Sequence, residues 1–211
     1  MSNATSDREE LLAILKTKSV FHGDFVLSSG ARSSHYFDCK VTTLDPRAAW
    51  LVGRLMLEGI RQHEQAHHVR VEAVGGLTMG ADPIAFSIGM VSYFTNPMAA
   101  VDVFIVRKTP KAHGQSKMIE GSSVEGRAIV VIDDVVTRGD STLTAIDAIH
   151  RAGGKVVLAA VLVDREEGGR AKIEARGVPV FSLFRKRDIL DEECGTVRTN
   201  DGGTSTIAAR G

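Results

Sequence analysis

Residues 128–132 form a continuous apolar run, Asp133 and Asp134 end it, and Thr137, Arg138, Gly139, Asp140, Ser141 and Thr142 turn the chain into a helical pattern lasting to Arg151. A strand with apolar residues on both faces of its pleat must be covered on both sides, which only a sheet lined by helices on each face provides. The same alternation recurs. Residues 71–74 read as a strand ending in Gly75-Gly76, with a helix from Asp82-Pro83 through Ser87; residues 101–106 and 156–163 are further apolar runs. A short helix over 170–176, ended by Gly177, then leads to a last strand over 178–183. The expected fold is α/β, a mainly parallel central sheet flanked by helices. Right-handed crossovers bring the strand C-termini, and any ligand, to one edge.

The N-terminal part departs from this rhythm. Ser6, Asp7, Arg8 and Glu9 have the form of a capping box before a leading helix carrying Leu11, Leu12, Ile14 and Leu15. Residues 25–27 and 36–37 flank a Gly- and Ser-rich turn and predict a β-hairpin. Asp45 before Pro46 predicts a capped helix through Trp50, Leu51, Arg54, Leu55 and Glu58. Residues 108–126 show neither period and predict a long loop, a kind of segment that is commonly functional. The tail beyond Arg187 shows only charge, Gly and Thr.

With 211 residues, one domain is expected, burying roughly 70% of its unfolded surface. The 26 basic and 26 acidic side chains cancel, which argues against nucleic acid or an anionic membrane as partner. No apolar run approaches the roughly 18 residues that span a bilayer, and no signal segment is evident. Cys39 and Cys194 have neither metal nor disulfide spacing, so a cytoplasmic location is expected. The zero balance conceals segregation: Arg107, Lys108, Lys111 and Lys117 lie within eleven residues that contain no acid, whereas Asp188, Asp191, Glu192 and Glu193 cluster with no base.

The turn after Asp133-Asp134 suits a phosphate monoester, because backbone N–H groups and hydroxyls converge there at a helix N-terminus. Adjacent carboxylates repel phosphate but accept hydrogen bonds from vicinal sugar hydroxyls. Together they describe a phosphorylated ribose; the plain alternative is an acid pair ending a strand and Asp140 or Ser141 capping a helix. Gly75 to Gly80 has Walker-like glycine spacing without the Lys and Ser/Thr, and no GxGxxG exists. It fits either a second backbone cradle or an ordinary strand-to-helix turn. Arg107, Lys108, Lys111 and His113 concentrate donors of the kind a departing diphosphate needs, or else form a solvated loop. Arg165 ends a buried strand where its planar fork suits a carboxylate or carbonyl pair, or an ion pair with Glu166 or Glu167. Tyr36-Phe37 is by itself an aromatic pair of the kind most often found in a core.

The acid pair and its turn resemble the phosphoribosyl-diphosphate (PRPP) binding signature of the type I phosphoribosyltransferases. Five segments resemble the orotate-specific members: residues 25–30 with 36–38, 76–83, 107–114, the acid-pair signature, and 163–169. The resemblance spans nearly all of residues 20–187. It implies a phosphoribosyltransferase fold with a small N-terminal hood from about residues 1–45, within a single domain over 1–211, leaving 191–211 unassigned. It implies transfer of the phosphoribosyl group of PRPP to orotate, forming orotidine 5'-monophosphate and diphosphate in pyrimidine synthesis.

By that resemblance, Lys111, His113, Asp133 and Asp134 are catalytic. Arg107, Lys108 and the turn Val135, Val136, Thr137, Arg138, Gly139, Asp140 and Ser141 join them in binding PRPP. Thr78, Met79 and Gly80 form the diphosphate loop, while Thr137, Arg165, Tyr36 and Phe37 contact orotate. Mg²⁺ is carried mainly by PRPP, with no protein metal cage. The cationic loop, with Gly114 and Gly121 supplying flexibility, closes over the site of the neighbouring subunit of a homodimer. Ser28, Thr78-Met79 and Arg138 depart from common family residues. A transferase for another base, or a PRPP-sensing regulator that does not catalyse, is the alternative. His63, His67 and His68 lack partners at metal-ligand spacing and read as surface residues.

Overall fold

In a computed structural model, residues 4–26, 32–109 and 118–190 are described. Strands β3 (Ala73–Leu77), β4 (Asp102–Val106), β5 (Ile119–Gly121), β6 (Ala128–Val136), β7 (Lys155–Asp164) and β8 (Val180–Arg185) make a six-stranded sheet in the order β5-β4-β3-β6-β7-β8. All neighbouring pairs are parallel except β4 and β5. The expected α/β class and strand order of events along the chain hold.

Helices α3 (Pro46–His67), α4 (Ala81–Thr95), α5 (Asp140–Arg151) and α6 (Gly169–Glu174) flank the sheet, preceded by α1 (Ala4–Ser19) and α2 (Lys40–Thr43). The period-two alternation of β6 divides the core. Val130 and Ile132 join Leu51, Met56, Ile84, Ile88 and Phe184 on one face. Ile129 and Val131 join Phe104, Ile146, Ile149 and Ile173 on the other. A double-faced apolar strand is thus satisfied by two separate cores, as its sequence demands.

The hairpin forms from β1 (Val20–Val26) and β2 (Arg32–Phe37), an antiparallel pair outside the main sheet. Asp45 caps α3 as expected, its Oδ1 accepting from Ala48 N–H at 2.9 Å. The Ser6 capping box does not form: the helix already includes Ala4, and Asp7 is buried in an ion pair with Arg54 at 2.5 Å. A carboxylate facing Arg54 from the next helix gains more there than at an exposed helix end.

Other boundaries shift outward. β3 runs through Gly75-Gly76 to Leu77 because β4 pairs with it that far, while β6 pairs with it only to Gly75. α4 extends to Thr95 rather than stopping near Ser87. β6 includes the acid pair and continues to Val136, because β7 pairs with it that far. The aperiodic stretch after Lys108 holds the short strand β5, in which Gly121 pairs with Phe104 at φ 88°, so this glycine serves an edge strand. A last helix, α7 (Lys186–Leu190), occupies what reads in sequence as the start of the tail. Among the described residues, no helix is long and apolar enough to cross a membrane.

Candidate active site

The parallel strands end on one edge, and four of the segments singled out in the sequence emerge there side by side. Thr78, Met79 and Gly80 leave β3; Arg107 and Lys108 leave β4; the acid pair and its turn end β6; Arg165 leaves β7. Backbone bonds join them: Thr78 N donates to Val106 O at 2.8 Å, and Arg165 N donates to Val136 O at 2.9 Å. Gly169 N also donates to Thr137 O, at 3.0 Å.

Asp133 is only 6% exposed. Its Oδ2 accepts from Thr142 Oγ1 at 2.7 Å and its Oδ1 from Asp134 N at 3.0 Å. Burial, and after it the negative charge of Asp134, pushes the Asp133 carboxyl up to about 7. Asp134 is less buried, with Oδ1 accepting from Val135 N at 3.0 Å. The two acids therefore differ: Asp133 is committed to the fold of the turn, and Asp134 faces outward.

Gly80 lies directly against Asp134. A side chain at Gly80 would overlap the Asp134 carboxylate, so the acid could keep its place only beside glycine. Thr78 Oγ1 donates to Asp82 Oδ2 at 2.6 Å, anchoring the loop to the start of α4, and the Thr78-Met79 peptide bond is cis. The proposed diphosphate loop and ribose acids thus form one wall.

Gly139, at φ 80°, is the residue before α5, and the turn it makes exposes the first N–H groups of that helix. Arg138 ion-pairs with Asp140 at 3.4 Å, and Lys172 reaches the same carboxylate at 3.7 Å. Both are exposed contacts that moderate an acid within an anion-suited turn. Arg107 meets Glu120 of β5 at 3.5 Å, an acid that its own segment lacks.

Arg165 is 6% exposed, with its guanidinium carbon 5.4 Å from the centre of the Phe37 ring. One nitrogen ion-pairs with Glu167 at 2.8 Å. The aromatic pair is divided by the alternation of β2: Phe37 is 6% exposed and belongs to the core, whereas Tyr36 is 42% exposed and packs near Phe25 and Phe21. Phe37 and Arg165 are brought together; Tyr36 and Phe37 do not form one surface.

Lys111, His113, Gly114 and Ser28 lie outside the described residues. Sequence reasoning overlooked Lys40, whose Nζ lies 2.8 Å from Asp38 Oδ1. That bond, chiefly, holds its ammonium above the ordinary lysine range, with Asp134 also contributing. A single lysine in a mixed stretch carries no local signal; only the fold brings it within electrostatic reach of Asp134. The adjacent Cys39 is buried, and burial with the charge of Asp134 pushes its thiol well up, so it is no nucleophile. His63 and His67 stack at 4.2 Å on α3, and among the described residues no group of three metal-ligating side chains occurs.

Comparison with known proteins agrees with this geometry. The family model described as "Phosphoribosyl transferase domain" matches residues 62–181. The chain is 42% identical over 188 residues to orotate phosphoribosyltransferase of Aquifex aeolicus, covering 87% of this chain and 98% of that protein. It is 40% identical over 184 residues to the enzyme of the same name from Tropheryma whipplei, covering 87% and 83%. Among solved structures, it is similar to Mycobacterium tuberculosis orotate phosphoribosyltransferase in complex with Fe(III) dicitrate, with a TM-score of 0.73, 41% identity and coverage of 87% and 99%. The structure of the M. tuberculosis enzyme in complex with PRPP matches with a TM-score of 0.67 and 35% identity, covering 90% of this chain and 93% of that one.

Proposed function

Because the chain belongs to the phosphoribosyltransferase family, and within it to the orotate phosphoribosyltransferases, we propose that it transfers the phosphoribosyl group of PRPP to orotate by the following use of its residues. The bond from the anomeric carbon to diphosphate breaks with its electron pair leaving on diphosphate, a bond from that carbon to N1 of orotate forms, and the N1 proton passes to diphosphate or solvent. The acceptor itself supplies the nucleophile, so the protein's work is placement and charge.

Asp134, with Asp133 behind it, accepts hydrogen bonds from the ribose hydroxyls and faces the positive charge that grows at the anomeric carbon. The turn from Val135 to Ser141, with Thr142, receives the 5'-phosphate at the N-terminus of α5. Thr78, Met79 and Gly80 present backbone groups to the diphosphate. Arg107 and Lys108, and by family resemblance Lys111 and His113, balance charge on the departing diphosphate. Thr137, Arg165 and the hood with Tyr36 and Phe37 bound the orotate site.

Mg²⁺ would arrive with PRPP, as the family resemblance implies, and Asp133 already accepts two hydrogen bonds. When bound, it would screen the negative diphosphate oxygens. Asp134, the less buried of the two acids, would be the nearer to it.

A homodimer is supported by an apolar stripe on α4, where Phe86, Met90, Tyr93 and Phe94 are all more than half exposed at helical spacing, followed by Met98. So large an apolar face suits a second copy of the chain. We also place the enzyme in the cytoplasm, in the pyrimidine pathway, as one domain with the N-terminal hood.

The observation that carries the choice of base is the buried guanidinium of Arg165 over Phe37, joined by a backbone bond to the strand bearing the acid pair. The test is to supply Mg²⁺ and PRPP with orotate, uracil, hypoxanthine or adenine and follow nucleotide formation. Product with orotate alone is expected. Product from another base with none from orotate would refute the reading.

A further inference from the structure

A guanidinium as enclosed as that of Arg165 needs a partner for its charge and its donors. Glu167 supplies only part of this. Its Oε1 meets Arg165 Nη2 at 2.8 Å, while the buried Arg165 Nε has no hydrogen-bond partner among the described residues. The same Oε1 lies 3.9 Å from Lys186 Nζ at the start of α7.

The turn that carries Glu167 is fixed independently of this contact. Glu166 adopts φ 58°, and its N–H donates to Asp164 Oδ1 at 2.8 Å. Asp164 Oδ2 accepts from Arg170 Nε, also at 2.8 Å, and Arg170 Nη2 donates to Ser182 Oγ at 2.7 Å on β8. Glu166 in turn meets Arg187 at 3.4 Å. Strand β8 and helix α7 therefore brace the turn from outside the site, and Glu167 reaches Arg165 from a fixed backbone.

A carboxylate that merely kept the substrate's place would grip the fork through both Nε and Nη2, as two parallel bonds are the favoured geometry. Glu167 instead holds one end and leaves Nε, a buried donor, unpartnered. Phe37 covers the guanidinium, so it has little freedom to rotate. Lys186 offsets the charge that Glu167 brings, so Arg165 keeps its attraction for an anion.

We propose that Glu167 is a positioning residue for base recognition: held by Lys186 and the braced turn, it fixes Arg165 by Nη2 so that Nε–H is presented to an acceptor oxygen of the pyrimidine. The proposal rests on the reading that Arg165 binds orotate, and it extends base recognition to residues of α7 that touch no substrate.

The test is steady-state kinetics of the full chain with Glu167→Ala, Glu167→Asp, Glu167→Gln and Arg165→Gln, each checked for folding by thermal melting. Loss of one charge-assisted contact should raise KM for orotate about tenfold or more in Glu167→Ala. KM for PRPP and kcat should stay within about threefold, since the sugar site is untouched. Glu167→Asp keeps the charge but withdraws the acceptor, and should behave like the alanine variant even if that one folds poorly. Glu167→Gln keeps an acceptor at the same reach and should recover most of the affinity. An unchanged or lowered orotate KM in Glu167→Ala and Glu167→Asp would overturn the proposal, a lowered one marking Glu167 as a competitor of substrate. If Arg165→Gln also leaves orotate KM unchanged, the assignment of Arg165 falls with it; if that variant alone raises KM, only the role of Glu167 falls.

Discussion

Thr142 Oγ1 donates to Asp133 Oδ2 at 2.7 Å, tying the acid pair of β6 to the first turn of α5 nine residues later. This bond favours the ionised carboxylate, whereas burial and Asp134 oppose it. Thr142→Val should therefore raise Asp133 further and move the acid limb of kcat/KM for PRPP to higher pH, while Thr142→Ser leaves it in place. A pH profile of the three proteins decides the matter, and coincident acid limbs would contradict it.

Asp133 also couples stability to pH. Its carboxyl rises from an ordinary 3.8 to about 7 in the folded chain, so between these values the folded state binds more protons than the unfolded one. Stability contributed by this group is thus full at about pH 4, falls as pH rises to about 7, and is level above that. Asp133→Asn removes the titration. Without ligand, the variant should melt higher than the parent near pH 8, with the difference shrinking toward pH 4, while phosphoribosyl transfer should fall. Melting curves across this range provide the check.

Gly80→Ala places a methyl group where the Asp134 carboxylate lies. Either the diphosphate loop or the acid must move, and displacement of about an ångström at a reacting centre costs on the order of a hundredfold in rate. The expected result is a large fall in kcat/KM for PRPP with a nearly unchanged melting temperature. Full activity would show that the loop and the acid pair act independently.

The exposed side of α4 predicts a change of assembly. Phe94, 68% exposed, stands at the end of the stripe, and Phe94→Glu puts a charge on it without touching the core. Light scattering should find the parent as a dimer and the variant shifted toward monomer. If the parent is monomeric at all accessible concentrations, the stripe has another purpose.

Lys111→Ala should lower kcat by about a hundredfold, the scale for one preorganised contact to developing charge, with an unchanged melting curve. Rapid turnover in this variant would remove the loop lysine from catalysis and leave Arg107 and Lys108 as the cations of the site.

The sheet was legible because burial on both faces leaves a run such as residues 128–132 no other use. Element ends were less so: the sequence of Asp133-Asp134 looks like the end of a strand, yet pairing with β7 carries β6 past it to Val136. Local pattern also suggested a cap at Ser6, where the decisive partner of Asp7 is Arg54, far along the chain. In the site, Arg165 could be found from its position after an apolar run. Its companions could not: Phe37 and Tyr36 are neighbours in sequence that the pleat sends to different environments, and Lys40 and Glu167 gain meaning only from what packs beside them.

Arg165 follows β7, and its N–H bonds to Val136 at the end of β6, while Gly169 bonds to Thr137 one residue further along. Two backbone bonds with neighbouring acceptors, and no side chain, accordingly set the spacing between the turn after the acid pair and Arg165. Donor and acceptor recognition become separable inheritances. On the proposed reading, changing side chains between these two bonds should re-specify the incoming base and leave the turn after the acid pair as it stands.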